Sequence, residues 1–250
     1  MNKISPASPM VSLLAPMYNE IEVIDIFFKE VHRCLENVNV DYEIICINDG
    51  SSDGTFECLK QHSKTNHHIK IIDLSRNYGK EIALTAGLDY ATGDAVIPID
   101  CDLQDPPEVI LEMIVKWQEG FQVVLAKRID RSSDSWLKRW TSLIFYKLID
   151  TMSDIHIPQN VGDFRLLDRV VVDALCKFRE RSRFMKGLFA SLGFREAVVE
   201  YSRAPRVAGS TKLHYWKLYK LALDGIISFT SLPLKIWSYF GACVALSAFF

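Results

Sequence analysis

The chain has 250 residues, 49% hydrophobic and 24% charged, which is enough for one large α/β domain or two small ones. Its formal net charge of −2 excludes a chain built as a whole to bind nucleic acid. Six scattered cysteines with no C-x-x-C pair argue for reduced thiols in a cytosolic compartment and against a disulfide frame or a zinc site. Met1–Pro9 has no long apolar run, so no secretory signal peptide is read there.

Apolar runs and helical patterns alternate through the first half. Strands are expected at Val11–Met17, Tyr42–Ile47, Ile69–Leu74, Ala95–Ile99 and Phe121–Ala126. Helices are expected at Ile21–Leu35, Asp53–His62 and Lys80–Tyr90, with a fourth opened by Pro106 and Pro107 and running to Trp117. This alternation predicts an α/β fold, a mostly parallel sheet with helices on both faces. Ligands of such sheets bind beyond the carboxyl ends of the strands, just after residues 17, 47, 74, 99 and 126. The second half is less regular. A helix is expected at Trp136–Asp150, with Trp136, Leu137, Trp140 and Leu143 on one face. A short strand at Asp163–Leu167, a helix at Asp168–Phe178 and a strand at Phe194–Tyr201 follow. Ser202–Leu213 reads as a loop and His214–Ser228 as a basic, aromatic helix.

The C-terminal part differs in character. After Tyr201, Arg203, Arg206, Lys212, Lys217, Lys220 and Lys235 face a single acid, Asp224, which suits an anionic partner such as a phosphate or a lipid headgroup. Ile236–Phe250 carries no charge. A spanning helix needs about 20 apolar residues, so this stretch is expected to be the start of a transmembrane helix, with Lys235, Trp237 and Tyr239 as interface anchors. A buried core helix is the plainer alternative. The expected division is a catalytic domain over residues 1–213, an amphipathic interface region over 214–235 and the membrane segment over 236–250.

Three segments carry chemistry. Pro16-Met17-Tyr18-Asn19-Glu20 ends the first strand, and Asn48-Asp49-Gly50-Ser51-Ser52-Asp53-Gly54 ends the second. Ser51, Ser52 or Asp53 can cap the next helix, and the Asp49 carboxylate can accept the ring N–H of a uracil. The fourth strand runs into Asp100-Cys101-Asp102-Leu103-Gln104-Asp105-Pro106-Pro107. Like charges so close are unfavourable unless a cation bridges them. Hard oxygen ligands suit Mg²⁺ or Mn²⁺. If the chain stays extended, Asp100, Asp102 and Gln104 share one side. A helix cap explains Asp105 but not the other two acids. Haloacid-dehalogenase-type phosphatases also use D-x-D, but on an N-terminal strand and with a small or hydroxylic residue after it. Neither G-x-G-x-x-G nor G-x-x-x-x-G-K occurs.

Together with Gly162-Asp163-Phe164-Arg165-Leu166-Leu167-Asp168-Arg169, these segments resemble family 2 glycosyltransferases of the GT-A fold. Within them the likeness is to polyprenyl-phosphate glycosyltransferases, of the bactoprenol glucosyl and dolichol-phosphate mannosyl kinds. The likeness runs in order from Val11 to about Lys220. The resemblance implies that Pro16, Tyr18, Glu20 and Asp49 hold the nucleoside, and that Asp100, Asp102 and Gln104 handle metal and diphosphate. It implies that Asp163 lies near the reacting sugar, with Arg165 on the donor side. Arg203, Arg206, Ser210 and Lys212 resemble the family's basic loop over the donor phosphates. Lys127, Arg128 and Arg131 would receive the acceptor phosphate. Cys101 departs from the small residue expected there.

The implied reaction passes a sugar, with inversion, from a nucleotide-sugar donor to polyprenyl phosphate. It would run at the cytoplasmic face of a bacterial inner membrane with Mg²⁺ or Mn²⁺. UDP-glucose is the expected donor; UDP-linked N-acetylhexosamine, GDP-mannose or a modified arabinose stay open, as does homo-oligomerisation. The Gln-x-x-Arg-Trp segment of processive polymerases is not found. A non-catalytic nucleotide-sugar-binding membrane module is the rival from another class, and the paired acids at 100 and 102 disfavour it.

Overall fold

The computed structural model describes residues 9–36, 38, 40–129, 161–178, 193–203 and 232–249. These fall into two compact units. The first carries seven strands: β1 (Met10–Met17), β2 (Asp41–Asn48), β3 (Ile69–Asp73), β4 (Ala95–Pro98), β5 (Val123–Arg128), β6 (Val161–Asp168) and β7 (Glu196–Tyr201). They form one sheet in the order β3-β2-β1-β4-β6-β5-β7. Every pairing is parallel except those of β6, which runs antiparallel to both β4 and β5.

Helices α1 (Ile24–Leu35), α2 (Thr55–Thr65), α3 (Lys80–Tyr90), α4 (Val109–Gln118) and α5 (Arg169–Lys177) connect or follow the strands. Strand alternation decides which side chains meet them. Val11, Leu13, Ala15 and Met17 of β1 share one core with Phe27 and Val31 of α1 and with Ile110 and Met113 of α4. Leu14 and Ile47 point the other way, against α3. A Cβ added to Gly87 there would meet Ile47 Cδ1 at 3.0 Å and Leu14 Cδ1 at 3.1 Å. Both faces are covered, which is why the inner strands read as continuous apolar runs.

The elements match the sequence expectations closely, and the shifts have local causes. Residues 21–23 form a turn, so α1 begins at Ile24. The two prolines precede α4 instead of opening it. The carbonyls of Pro106 and Pro107 accept the N–H groups of Val109 and Ile110 at 3.1 and 3.0 Å, closing a turn before the helix. Asp168 caps α5, its Oδ1 accepting from Val170 N at 2.9 Å. The expected helices at Trp136–Asp150 and His214–Ser228 lie outside the described residues.

In the second unit the described residues are the 18-residue helix α6 (Leu232–Phe249). Trp237, Tyr239, Phe240 and Leu246 are exposed on it. Among the described residues, no helix is long and apolar enough to cross a membrane.

At the edge where the parallel strands begin, one buried carboxylate fixes the register. Glu43 Oε1 accepts from Ser12 Oγ at 2.5 Å, Thr92 N at 2.8 Å and Thr92 Oγ1 at 2.9 Å, while Lys70 Nζ lies 2.5 Å from Oε2. Ser12 Oγ in turn accepts from Gly93 N at 2.8 Å. Burial pushes the Glu43 carboxyl up, but Lys70, Ser12 and Thr92 together outweigh it and hold the group below its usual value. Its folded value being depressed, the stability it contributes is present above the unfolded value of about 4.3 and lost as pH falls through the folded one. Glu43→Ala, which strands these donors, is expected to cost about 3 kcal/mol in denaturant unfolding at pH 7. The difference from wild type should shrink as the pH is lowered below 4.

Candidate active site

The loops that leave β1 and β2 are tied to each other by hydrogen bonds. Asn19, at φ 53°, donates its N–H to Ser51 Oγ at 3.0 Å and accepts from Ser52 N at 2.8 Å. Glu20 N donates to Thr55 Oγ1 at 2.9 Å. Asp53, one of the expected caps, instead makes a turn before α2, accepting from Thr55 N at 3.0 Å and Thr55 Oγ1 at 2.6 Å, while Gly54 holds the cap position without a side-chain bond. Pro16, Tyr18 and Glu20 stay partly or fully exposed along this rim.

Asp49 is buried, and its carboxylate binds the loop before α3. Oδ1 accepts from Tyr78 N at 2.7 Å and Oδ2 from Gly79 N at 2.8 Å. That loop passes so close that a Cβ on Gly50 would collide with the Arg76–Asn77 backbone, 2.6 Å from Asn77 N. Only glycine fits there, and its φ of +65° also favours it. Asp49 is thus a structural clamp whose oxygens keep further lone pairs able to accept.

The clamp delivers Lys80, which the sequence reading missed. Gly79, at φ +97°, turns the chain so that Lys80 opens α3 toward the carboxyl end of β4. Lys80 Nζ lies 2.6 Å from Asp100 Oδ1 and 2.9 Å from Asp163 Oδ2. Burial alone would lower the ammonium's pKa, but the two carboxylates outweigh it and raise it well above the usual value. Asp100 and Asp163, on β4's exit and on β6, are therefore brought together through one cation.

The expected extended run of Asp100, Asp102 and Gln104 does not form. The chain turns at Cys101 and Asp102, Leu103 takes a left-handed φ of 55°, and Gln104 N folds back to Asp102 Oδ1 at 3.1 Å. The turn buries the short segment's apolar side chains, Cys101 and Leu103, in the core. It leaves Asp100, Asp102 and Gln104 partly exposed. Cys101 therefore faces away from the ligand side. Burial pushes its thiol well up, with Glu20, Asp100 and Asp102 adding to the shift.

Asp105 is not the helix cap expected of it: α4 starts at Val109, with Glu108 at the cap position and no side-chain bond. Asp105 is buried instead and accepts from Tyr201 Oη at 2.5 Å. Arg128 Nη2 and Arg203 Nε stand 3.8 and 3.7 Å from the same oxygen, and Arg128 Nε donates to Tyr201 Oη at 3.2 Å. Burial pushes the Asp105 carboxyl up, and the Tyr201 hydroxyl and the two arginines offset that only in part.

The other predicted residues separate. Lys127 pairs with Glu200 at 3.0 Å, on the strand face opposite Arg128. Arg165 is buried, and its Nη2 donates to Gly162 O at 2.6 Å. Arg131, Arg206, Ser210 and Lys212 lie outside the described residues.

A sheet with strand order 3-2-1-4-6-5-7, one antiparallel strand and acids at the exit of β4 is the GT-A arrangement of a nucleotide-sugar transferase. The sequence profile of glycosyl transferase family 2 matches residues 12–176, and the chain belongs to that family. It is 52% identical over 94% of its length to an uncharacterized glycosyltransferase from Synechocystis, covering 74% of that protein. It is 50% identical over 96% of its length to a prophage bactoprenol glucosyl transferase homolog of Escherichia coli, covering 78% of it. Among solved structures it resembles glucosyl-3-phosphoglycerate synthase from Mycobacterium tuberculosis, in complex with Mn²⁺, UDP-glucose and phosphoglyceric acid. The TM-score is 0.55 at 18% identity, over 86% of this chain and 77% of that one, which establishes the shared fold.

Lys80→Met leaves Asp100 and Asp163 without their shared cation. Turnover is expected to fall about tenfold or more, while Lys80→Arg keeps a larger share. Steady-state rates of the two variants, with thermal melts as a check on folding, test this.

Proposed function

We propose that the protein transfers glucose from UDP-glucose onto a polyprenyl phosphate, with inversion, at the cytoplasmic face of a bacterial inner membrane. The observation that carries this reading is the meeting, at one edge of the sheet, of a carboxylate cluster and an arginine pair. Asp100 and Asp102 supply the first and Arg128 and Arg203 the second. The sugar and the lipid are carried over from the bactoprenol glucosyl transferase homolog that shares half its residues with this chain.

Asp100 and Asp102, with Gln104, are the residues that would hold a Mg²⁺ or Mn²⁺ ion. The fit rests on an observation of the structure: a cationic ammonium already lies against Asp100. When bound, such an ion neutralises the charge that grows on the leaving diphosphate.

The chain's own groups do the rest. Tyr18, Glu20 and Asp49 border the nucleoside position, and Asp49 also holds the loop that delivers Lys80. A lipid monophosphate has a second pKa of about 6 and is mostly dianionic at neutral pH. Its oxygen attacks the anomeric carbon in line, the bond from that carbon to the diphosphate oxygen breaks, and nucleoside diphosphate leaves. No proton has to be removed from the nucleophile, so Asp163 serves to place Lys80 and the sugar and not as an obligatory base. The arginines dock the acceptor and restrain its approach. The exposed apolar side chains of α6, Trp237 and Phe240 among them, suit contact with a lipid surface.

Two measurements test the reading. Asp102→Asn is expected to lose most turnover in a folded protein; near-normal turnover would remove the metal assignment. Nucleoside diphosphate release is then followed over a panel of nucleotide-sugars with Mn²⁺ or Mg²⁺, with and without undecaprenyl phosphate. Release from UDP-glucose alone, and only with lipid, is the expected result. Release indifferent to lipid would point to another acceptor or to hydrolysis.

A further inference from the structure

Arg128 and Arg203 come from distant parts of the chain, and on sequence grounds they belong to different phosphates. The structure sets both against one oxygen. Asp105 Oδ1 lies 3.8 Å from Arg128 Nη2 and 3.7 Å from Arg203 Nε, and it accepts the Tyr201 hydroxyl at 2.5 Å. Asp105 and Tyr201 are buried, whereas the arginine side chains keep 27% and 29% of their surface open. Contacts of 3.7–3.8 Å are attractive but too long for hydrogen bonds, so the carboxylate restrains the guanidinium groups without consuming their donors. Arg203 Nε is itself buried with no hydrogen-bond partner among the described residues, a donor in want of an acceptor.

We propose that Asp105, oriented by Tyr201, is a positioning residue that holds Arg128 and Arg203 together so that both address a single phosphate group. This rests on the transferase reading above. Two guanidinium groups near a common point repel each other, and each sits on a long side chain able to swing into water. A carboxylate between them removes that repulsion and leaves one net positive charge. Tyr201 locks the arrangement from both sides, donating to Asp105 and accepting from Arg128 Nε at 3.2 Å. The phosphate is either that of the lipid acceptor or that of the nucleotide donor, and the kinetics separate the two.

The test uses the full chain in detergent micelles, with UDP-glucose, Mn²⁺ and undecaprenyl phosphate varied in turn. Asp105→Asn keeps the shape and removes the charge. It is expected to raise the KM of one phosphate substrate about tenfold, with the other KM and kcat within about twofold of wild type. A rise for undecaprenyl phosphate assigns the arginine pair to the acceptor; a rise for UDP-glucose assigns it to the donor. Tyr201→Phe should raise the same KM by less, and Asp105→Glu should recover part of the loss. A folded Asp105→Asn with both KM values unchanged, or with both raised equally, overturns the proposal. If Asp105→Asn does not fold, Tyr201→Phe decides by the same criterion. Calorimetric titration with a short-chain prenyl phosphate and with uridine diphosphate needs no turnover. Were wild type to transfer no sugar yet bind one of these more tightly than Asp105→Asn does, the arginine proposal would stand and the transferase reading would fall.

Discussion

Asp49, Asp100, Asp102, Asp105 and Asp163 are crowded at the edge of the sheet where the parallel strands end, and bare carboxylates at such spacing repel one another. The surrounding architecture answers each of them. Two backbone N–H groups satisfy Asp49, and Lys80 bridges Asp100 to Asp163. The Gln104 N–H turns back onto Asp102, and Asp105 collects a tyrosine and two arginines. An edge so heavily charged is costly for folding and useful for chemistry. Each counter-group that stabilises it is also a group suited to a nucleotide-sugar or a phosphate.

Rigidity is supplied from both ends of the strands. At the far edge, Glu43 ties β1, β2 and the turn before β4 into one hydrogen-bonded unit. At the near edge, Asn19, Ser51, Ser52 and Thr55 lace the first two loops together. Side chains carried on loops are normally the least fixed part of a fold. Here the two loop backbones are pinned to one another.

The layered fold was legible because its strands are apolar runs buried on both faces and separated by helices; α1 has a clear apolar stripe, and α3 lies over Lys80–Tyr90 as expected. The acids at the exit of β4 were legible as a cluster, but not their geometry. The left-handed turn at Leu103 depends on burying Cys101 and Leu103, which no local pattern announces. Lys80 read as an ordinary first residue of a helix, although the end of the third strand was marked as a place for chemistry. Its partners are 20 and 83 positions away and are found only once the sheet is assembled. Tyr201 was hidden for the same reason, its bond to Asp105 spanning 96 positions. Lys127 and Arg128 read as one basic entrance, yet neighbours on a strand face opposite ways, and the structure separates them.

The reversed direction of β6 has a consequence for how the protein acquires its activity. A parallel strand in that slot would present its last residues to the ligand edge. An antiparallel one presents its first, and so Asp163 lies beside Lys80. The strand must pair with β4 and β5 after a long excursion of chain, and β7 must then dock on β5 to bring Tyr201 to Asp105. Such distant closures are slow steps of folding. The early strands and their clamped loops close over shorter sequence separations than the pairing of Lys80 with Asp163. Asp163 and Tyr201 thus reach the cluster only with chain beyond residue 160, whereas Asp49, Asp100 and Asp102 are carried by the strands before it.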